Sequence, residues 1–143
     1  MGSGRPDYRH GHDLEAQSVD RISTITKAPT GTTKIFKSAR IENGTTLLRQ
    51  VPAGKTLYLT AVTMGSFSID TAGESKVTVR DDLNADQYNI LWAFPKAATG
   101  SPANITSSIT ITPPLEIPEG WDVVVVSDDA NVTTTVSMSG WEE

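Results

Sequence analysis

His10 and His12 are the only imidazoles in a chain of 143 residues. With Tyr8 and Asp13 beside them, they are the residues best suited to ligate a divalent cation. Two imidazoles separated by one glycine still need further donors and a fixed frame to hold zinc, so the pair is only a weak metal candidate. No histidine follows residue 12, which rules out a Ser-His-Asp triad over the rest of the chain. The chain has no cysteine. Thiolate nucleophiles, disulfides and Cys-ligated zinc are therefore excluded as well.

Paired carboxylates occur at Asp81-Asp82 and Asp128-Asp129. Calcium uses such clusters when carbonyls and further carboxylates converge, but the Asp-x-Asp-x-Asp-Gly pattern of a calcium loop is missing. Both pairs read as solvated turn residues. The glycine patterns that cradle phosphate and the Gly-x-Ser-x-Gly elbow are also missing. Asn43, Asn104 and Asn131 each begin a glycosylation sequon, as chance provides in a Thr-rich chain. The expectation is a non-enzymatic protein with no cofactor.

The tryptophans divide differently. Trp92 lies in the most apolar run of the chain and is expected in the core. Trp121 follows a turn glycine, and Trp141 is the third-last residue. Tryptophans at such edges anchor subunit interfaces or stack on sugars. Trp121 and Trp141 are accordingly the candidates for an interface or a glycan contact.

These residues must be positioned by a framework, and composition indicates which. Hydrophobic residues make up 37% and charged residues 20%, while 19 threonines and 13 serines fill the remainder. Threonine and valine suit a pleated surface. No apolar run approaches the ~20 residues of a membrane helix, and residues 1–17 lack the apolar stretch of a secretory signal. Alternation predicts strands at 34–41, 57–64, 76–80, 108–112 and 131–139. The run 88–94 reads as a central strand. Four consecutive valines at 123–126 read as a strand buried on both sides. Turn residues separate these segments, as in a sandwich or jelly roll. Val51-Pro52-Ala53-Gly54 is echoed by Ile117-Pro118-Glu119-Gly120, each followed by a strand. The echo predicts a tight turn at each copy; it fits a sandwich of two related halves, or simply the frequency of Pro-x-Gly turns in all-β chains.

The first third of the chain is different. Residues 1–44 carry seven basic and five acidic residues, and residues 45–143 carry five basic and twelve acidic. Leu14, Val19, Ile22 and Ile25 are the only large aliphatics before residue 34. They follow no clean period, although a short helix over 13–21 is possible, and the segment cannot bury enough surface to fold alone. The expected division is an extended N-terminal arm at 1–44 and a β-sandwich domain at 45–143. The acidic body and the small positive excess of the arm disfavour nucleic-acid binding.

A polar arm, a Thr/Val-rich sandwich, the Val-Pro-Ala-Gly-Lys-Thr and Ile-Pro-Glu-Gly turns, and the closing Val-Thr-Thr-Thr-Val-Ser-Met-Ser-Gly-Trp-Glu-Glu together resemble the small β-sandwich proteins of tailed-phage virions, of the capsid decoration or cement type. The resemblance covers residues 50–143 in style. It implies an all-β, jelly-roll-like antiparallel sandwich, made in the host cytoplasm and placed on the capsid surface. It also implies a homotrimer whose partners are the major capsid protein or other virion subunits, with no membrane. Arg5, Tyr8, Arg9, Leu14, Val19, Ile22 and Ile25 would then bind those partners. The alternative within the same setting is a tail-fibre or spike module that binds a receptor glycan.

Overall fold

Alternating β-branched residues favour extended backbone with one face to a core and one to water. In the computed structural model, which describes residues 28–69, 72–96 and 101–143, they form eight strands and no helix. These are β1 (Thr33–Ile41), β2 (Gly44–Gln50), β3 (Leu57–Ser68), β4 (Ser75–Arg80), β5 (Asp86–Ala93), β6 (Ala103–Ile117), β7 (Asp122–Ser127) and β8 (Val132–Glu142).

They make two four-stranded antiparallel sheets, in the orders β1-β8-β3-β6 and β2-β7-β4-β5. The first pairs with the eighth, the second with the seventh, the third with the sixth and the fourth with the fifth. That is one long two-stranded ribbon rolled into a sandwich, the jelly-roll arrangement that places two Greek keys face to face. Rolling also brings β8 against β3 and β7 against β4.

The two echoed turns are explained by this ribbon. Residues 51–56 and 118–121 are the places where its two strands cross together from one sheet to the other. Gly54 and Gly120 have φ of 73° and 81°, the left-handed geometry that glycine adopts without penalty. Each turn closes on its proline, with Lys55 N–H donating to Pro52 O and Trp121 N–H to Pro118 O. The turns also bind each other. Val51 N–H donates to Trp121 O at 2.9 Å, Gly120 N–H to Val51 O at 3.0 Å, and Gly54 N–H to the Glu119 carboxylate.

Between the sheets lie Leu57, Leu59, Met64, Ile117 and Met138, with Val77, Val123 and Val125 facing them. Burying each large side chain stabilises the fold by about 1.5–3 kcal/mol. Towards the opposite end the core becomes small and polar. Ser66 and Ser75 both meet the Thr134 hydroxyl, at 3.1 and 2.5 Å, with all three residues fully buried. The outer face of the first sheet carries Ser137, Ser139, Thr135, Thr63 and Ser108, which accounts for much of the hydroxyl-rich composition.

Three expectations need correction. First, β1 lies inside the stretch expected to be arm, yet its nine residues pair with β8 and bury Ile35 and Ile41. The sandwich therefore begins by Thr33 and not at residue 45. Second, β5 is an edge strand, not a central one, and Trp92 is 51% exposed rather than core. Third, β2 was not anticipated. A bulge between Leu47 and Arg49 interrupts its alternation, leaving Leu47 exposed beside a buried Leu48.

Candidate interaction surface

The seven expected arm contacts, Arg5 through Ile25, and the histidines His10 and His12 lie outside the described residues. Residues 1–27 carry four basic and four acidic side chains, so the positive excess assigned to the arm belongs instead to Lys34, Lys37 and Arg40 of β1. All three are exposed on an edge strand. Charged residues there discourage unwanted strand pairing.

Trp121 and Trp141 also separate. Trp121 is half-buried, packs on the core and tilts against Tyr88 with ring centroids 6.3 Å apart. Trp141 is on the outer face of the first sheet, opposite Lys34 and Tyr58 in register, yet only 6% exposed. Tyr58 stacks on it at 5.4 Å with the planes 11° apart. An indole covered in this way offers no face to a sugar, so Trp141 is corrected from glycan candidate to packing residue. Its Nε1 has no hydrogen-bond partner. It borders a cleft of about 390 Å³ lined also by Ala28, Lys34, Phe36 and Thr60. The Tyr58 phenol is held above its ordinary value, chiefly by a hydrogen bond to the Glu143 carboxylate. Burial and the charges of Glu143 and Glu116 add to this.

Three of the four paired acids hold turns or loops. Asp81 accepts the N–H groups of Leu83 and Ala85 and the Gln87 amide, fixing the β4–β5 turn around Asn84 at φ 64°. Asp129 accepts the Asn131 N–H, and Asp128 accepts the Glu74 N–H. No group of three or more His, Cys, Asp or Glu that could hold a metal occurs among the described residues.

The surface that sequence reasoning missed is the outer face of the second sheet. Register places its side chains in rows across the strands. Phe94, Glu74 and Asp128 form the first row, beyond the last β4–β5 pair. Trp92, Lys76 and Val126 form the next. Asn89, Thr78, Val124 and Leu47 follow. Asp86, Arg80 and Asp122 close the face, with Arg80 donating to both Asp122 oxygens at 3.0 and 2.8 Å. That hydrogen bonding raises the Arg80 guanidinium above its ordinary value, with burial opposing it. Lys76 pairs with Asp86 at 2.8 Å. Trp92 donates its indole N–H to Glu74 Oε1 at 2.9 Å and lies 6.4 Å from Phe94, which is 58% exposed. Alternating Trp92 and Phe94 in sequence was the available signal. It was read as core because an apolar run does not reveal which way it faces.

No protein-family model matches the chain. No curated protein matches it in sequence. Among solved structures, it is similar to a pentameric capsid protein isolated from metagenomic phage sequences, at 17% identity over 84% of this chain and 70% of that one, with a TM-score of 0.44. It is similar also to a chain of the acidic stable capsid of Helicobacter pylori bacteriophage KHP30, at 17% identity over 78% and 93%, with a TM-score of 0.44. A chain of the cyanophage Pam1 capsid aligns at 16% identity over 80% and 89%, with a TM-score of 0.43. At these identities the likeness is one of fold.

Proposed function

We propose that this chain is a non-enzymatic structural protein of a phage virion. It acts as a capsid decoration or cement subunit that associates with its own copies, as a trimer, and with the shell. The observation that carries this reading is the division of labour along the chain. Both sheets and the core cluster between them are built from described residues, starting at Thr33. Residues 1–27 hold only four large aliphatics, Leu14, Val19, Ile22 and Ile25. A segment of that composition gains order by docking on a partner. With its net charge near zero, attraction to an acidic neighbour is not what holds it. Leu14, Val19, Ile22 and Ile25 would supply apolar contacts, and Arg5, Tyr8 and Arg9 would supply polar ones.

The test is deletion of residues 1–27, leaving the turn closed by Thr32 on Pro29 intact. The truncated chain is expected to fold, with an unchanged thermal transition, and to lose incorporation into particles assembled with the shell protein. Incorporation equal to that of the full chain overturns the arm assignment. Sedimentation of the isolated full chain reads the oligomer number directly.

A further inference from the structure

We propose that Trp92 and Phe94, with Glu74 between them, form a binding platform for an oligosaccharide. This reading does not depend on the virion role. Both rings stand on the outer face of an edge strand and are more than half exposed. Trp92 is also pre-positioned. The Trp92 indole N–H is tied to Glu74 Oε1, and the Glu74 backbone N–H is tied to Asp128 Oδ1. A surface fixed before binding loses less conformational freedom when a ligand arrives.

The chemistry around the rings selects the ligand. Glu74 uses one carboxylate oxygen for the indole, and its Oε2 has no partner among the described residues. Asp128 lies in the same row. Lys76 is drawn away towards Asp86. The platform thus offers two apolar ring surfaces and a rim of hydrogen-bond acceptors. Sugar rings present the complement, C–H faces to stack on aromatics and hydroxyls to donate to carboxylates. Two ring centroids 6.4 Å apart can each take one residue of a chain. A second copy of this protein fits poorly. Residues 45–143 carry five basic against twelve acidic side chains, so another copy would meet the Glu74 and Asp128 carboxylates with a surface of the same net sign, and like charges oppose association.

The experiment applies the full-length protein to an immobilised panel of gluco-, galacto-, manno- and N-acetylglucosamine-type oligosaccharides. Hits are then titrated in solution by tryptophan fluorescence and calorimetry. Trp92→Ala, Phe94→Ala and Glu74→Gln are compared with the parent, with thermal unfolding confirming that each is folded. Binding to at least one panel class is expected, weakened at least tenfold by Trp92→Ala and by Phe94→Ala, and weakened less by Glu74→Gln. No binding to any class overturns the proposal. So does binding that both ring substitutions leave unchanged. A fall in oligomer size in Trp92→Ala overturns it too, because the rings would then be a subunit contact.

Discussion

Arg49 on β2 and Glu142 on β8, 93 residues apart, are clasped between the two sheets by a pair of hydrogen bonds of 2.7 Å each. Glu142 is only 4% exposed. Hydrogen bonding to it raises the Arg49 guanidinium above its ordinary value, burial opposes this and the opposite charge reinforces it. A buried carboxylate that loses its partner is strongly destabilising, whereas replacing both members with apolar groups of similar volume is tolerated. Arg49→Met is therefore expected to cost about 3 kcal/mol, and the double variant Arg49→Met/Glu142→Leu to recover most of it. Urea unfolding of the single and double variants measures both. Equal losses in the two would show that the unpaired Glu142 carboxylate is not the source of the loss.

Thr134 offers one hydroxyl to two buried serines. Thr134→Val keeps the shape and removes the shared partner, so the loss is expected to be about 1–3 kcal/mol. Converting Ser66 and Ser75 to alanine in the same chain should return part of that stability, since no buried hydroxyl is then left wanting. Chemical denaturation of the single and triple variants decides it.

Gly140 sits opposite Leu59, where β3 bulges at Thr60. A Cβ on Gly140 would strike the Tyr58 carbonyl oxygen and lie 3.1 Å from Leu59 Cα, and backbone atoms cannot swing aside. Gly140→Ala is expected to destabilise by about 3 kcal/mol. Gly65, in the same sheet, has only Thr135 Oγ1 at 3.4 Å near the equivalent position. Gly65→Ala should be neutral, or stabilising by up to about 1 kcal/mol. Thermal unfolding of the two alanine variants makes the comparison.

Tyr58 gives a pH dependence. Its phenol is raised above the ordinary 10.0, so the folded state holds the proton more tightly than the unfolded chain. The associated stability is complete below that ordinary value and is lost as pH rises through the higher folded one. Tyr58→Phe should flatten the decline in stability on the alkaline side of pH 10.0. Phenolate absorbance of the native protein should show a tyrosine titrating late. An unchanged alkaline slope in Tyr58→Phe would count against the Glu143 contact.

Much of the framework was legible because its signal is local. Valines 123–126 could be read as doubly buried, and Val124 is indeed fully buried although it points away from the inter-sheet core. The Pro-x-Gly echo was legible as two turns, but not as one structural corner, because pairing between residues 51 and 121 is long-range. The eight-strand ribbon order was not readable for the same reason. Alternation failed where geometry departs from a period of two, as at the Leu47/Arg49 bulge. The aromatic platform was missed because period two fixes that Trp92 and Phe94 share a face without saying which. Trp141 was misplaced because nearness to the chain end says nothing about the Tyr58 ring above it.

Register gives the molecule a root and a tip. Thr33 lies beside Glu142 at the root. Glu74, Phe94 and Asp128 lie at the tip, roughly 25 Å away along the length of a nine-residue strand. Under the proposed function, fastening through residues 1–27 would hold the aromatic tip clear of the shell.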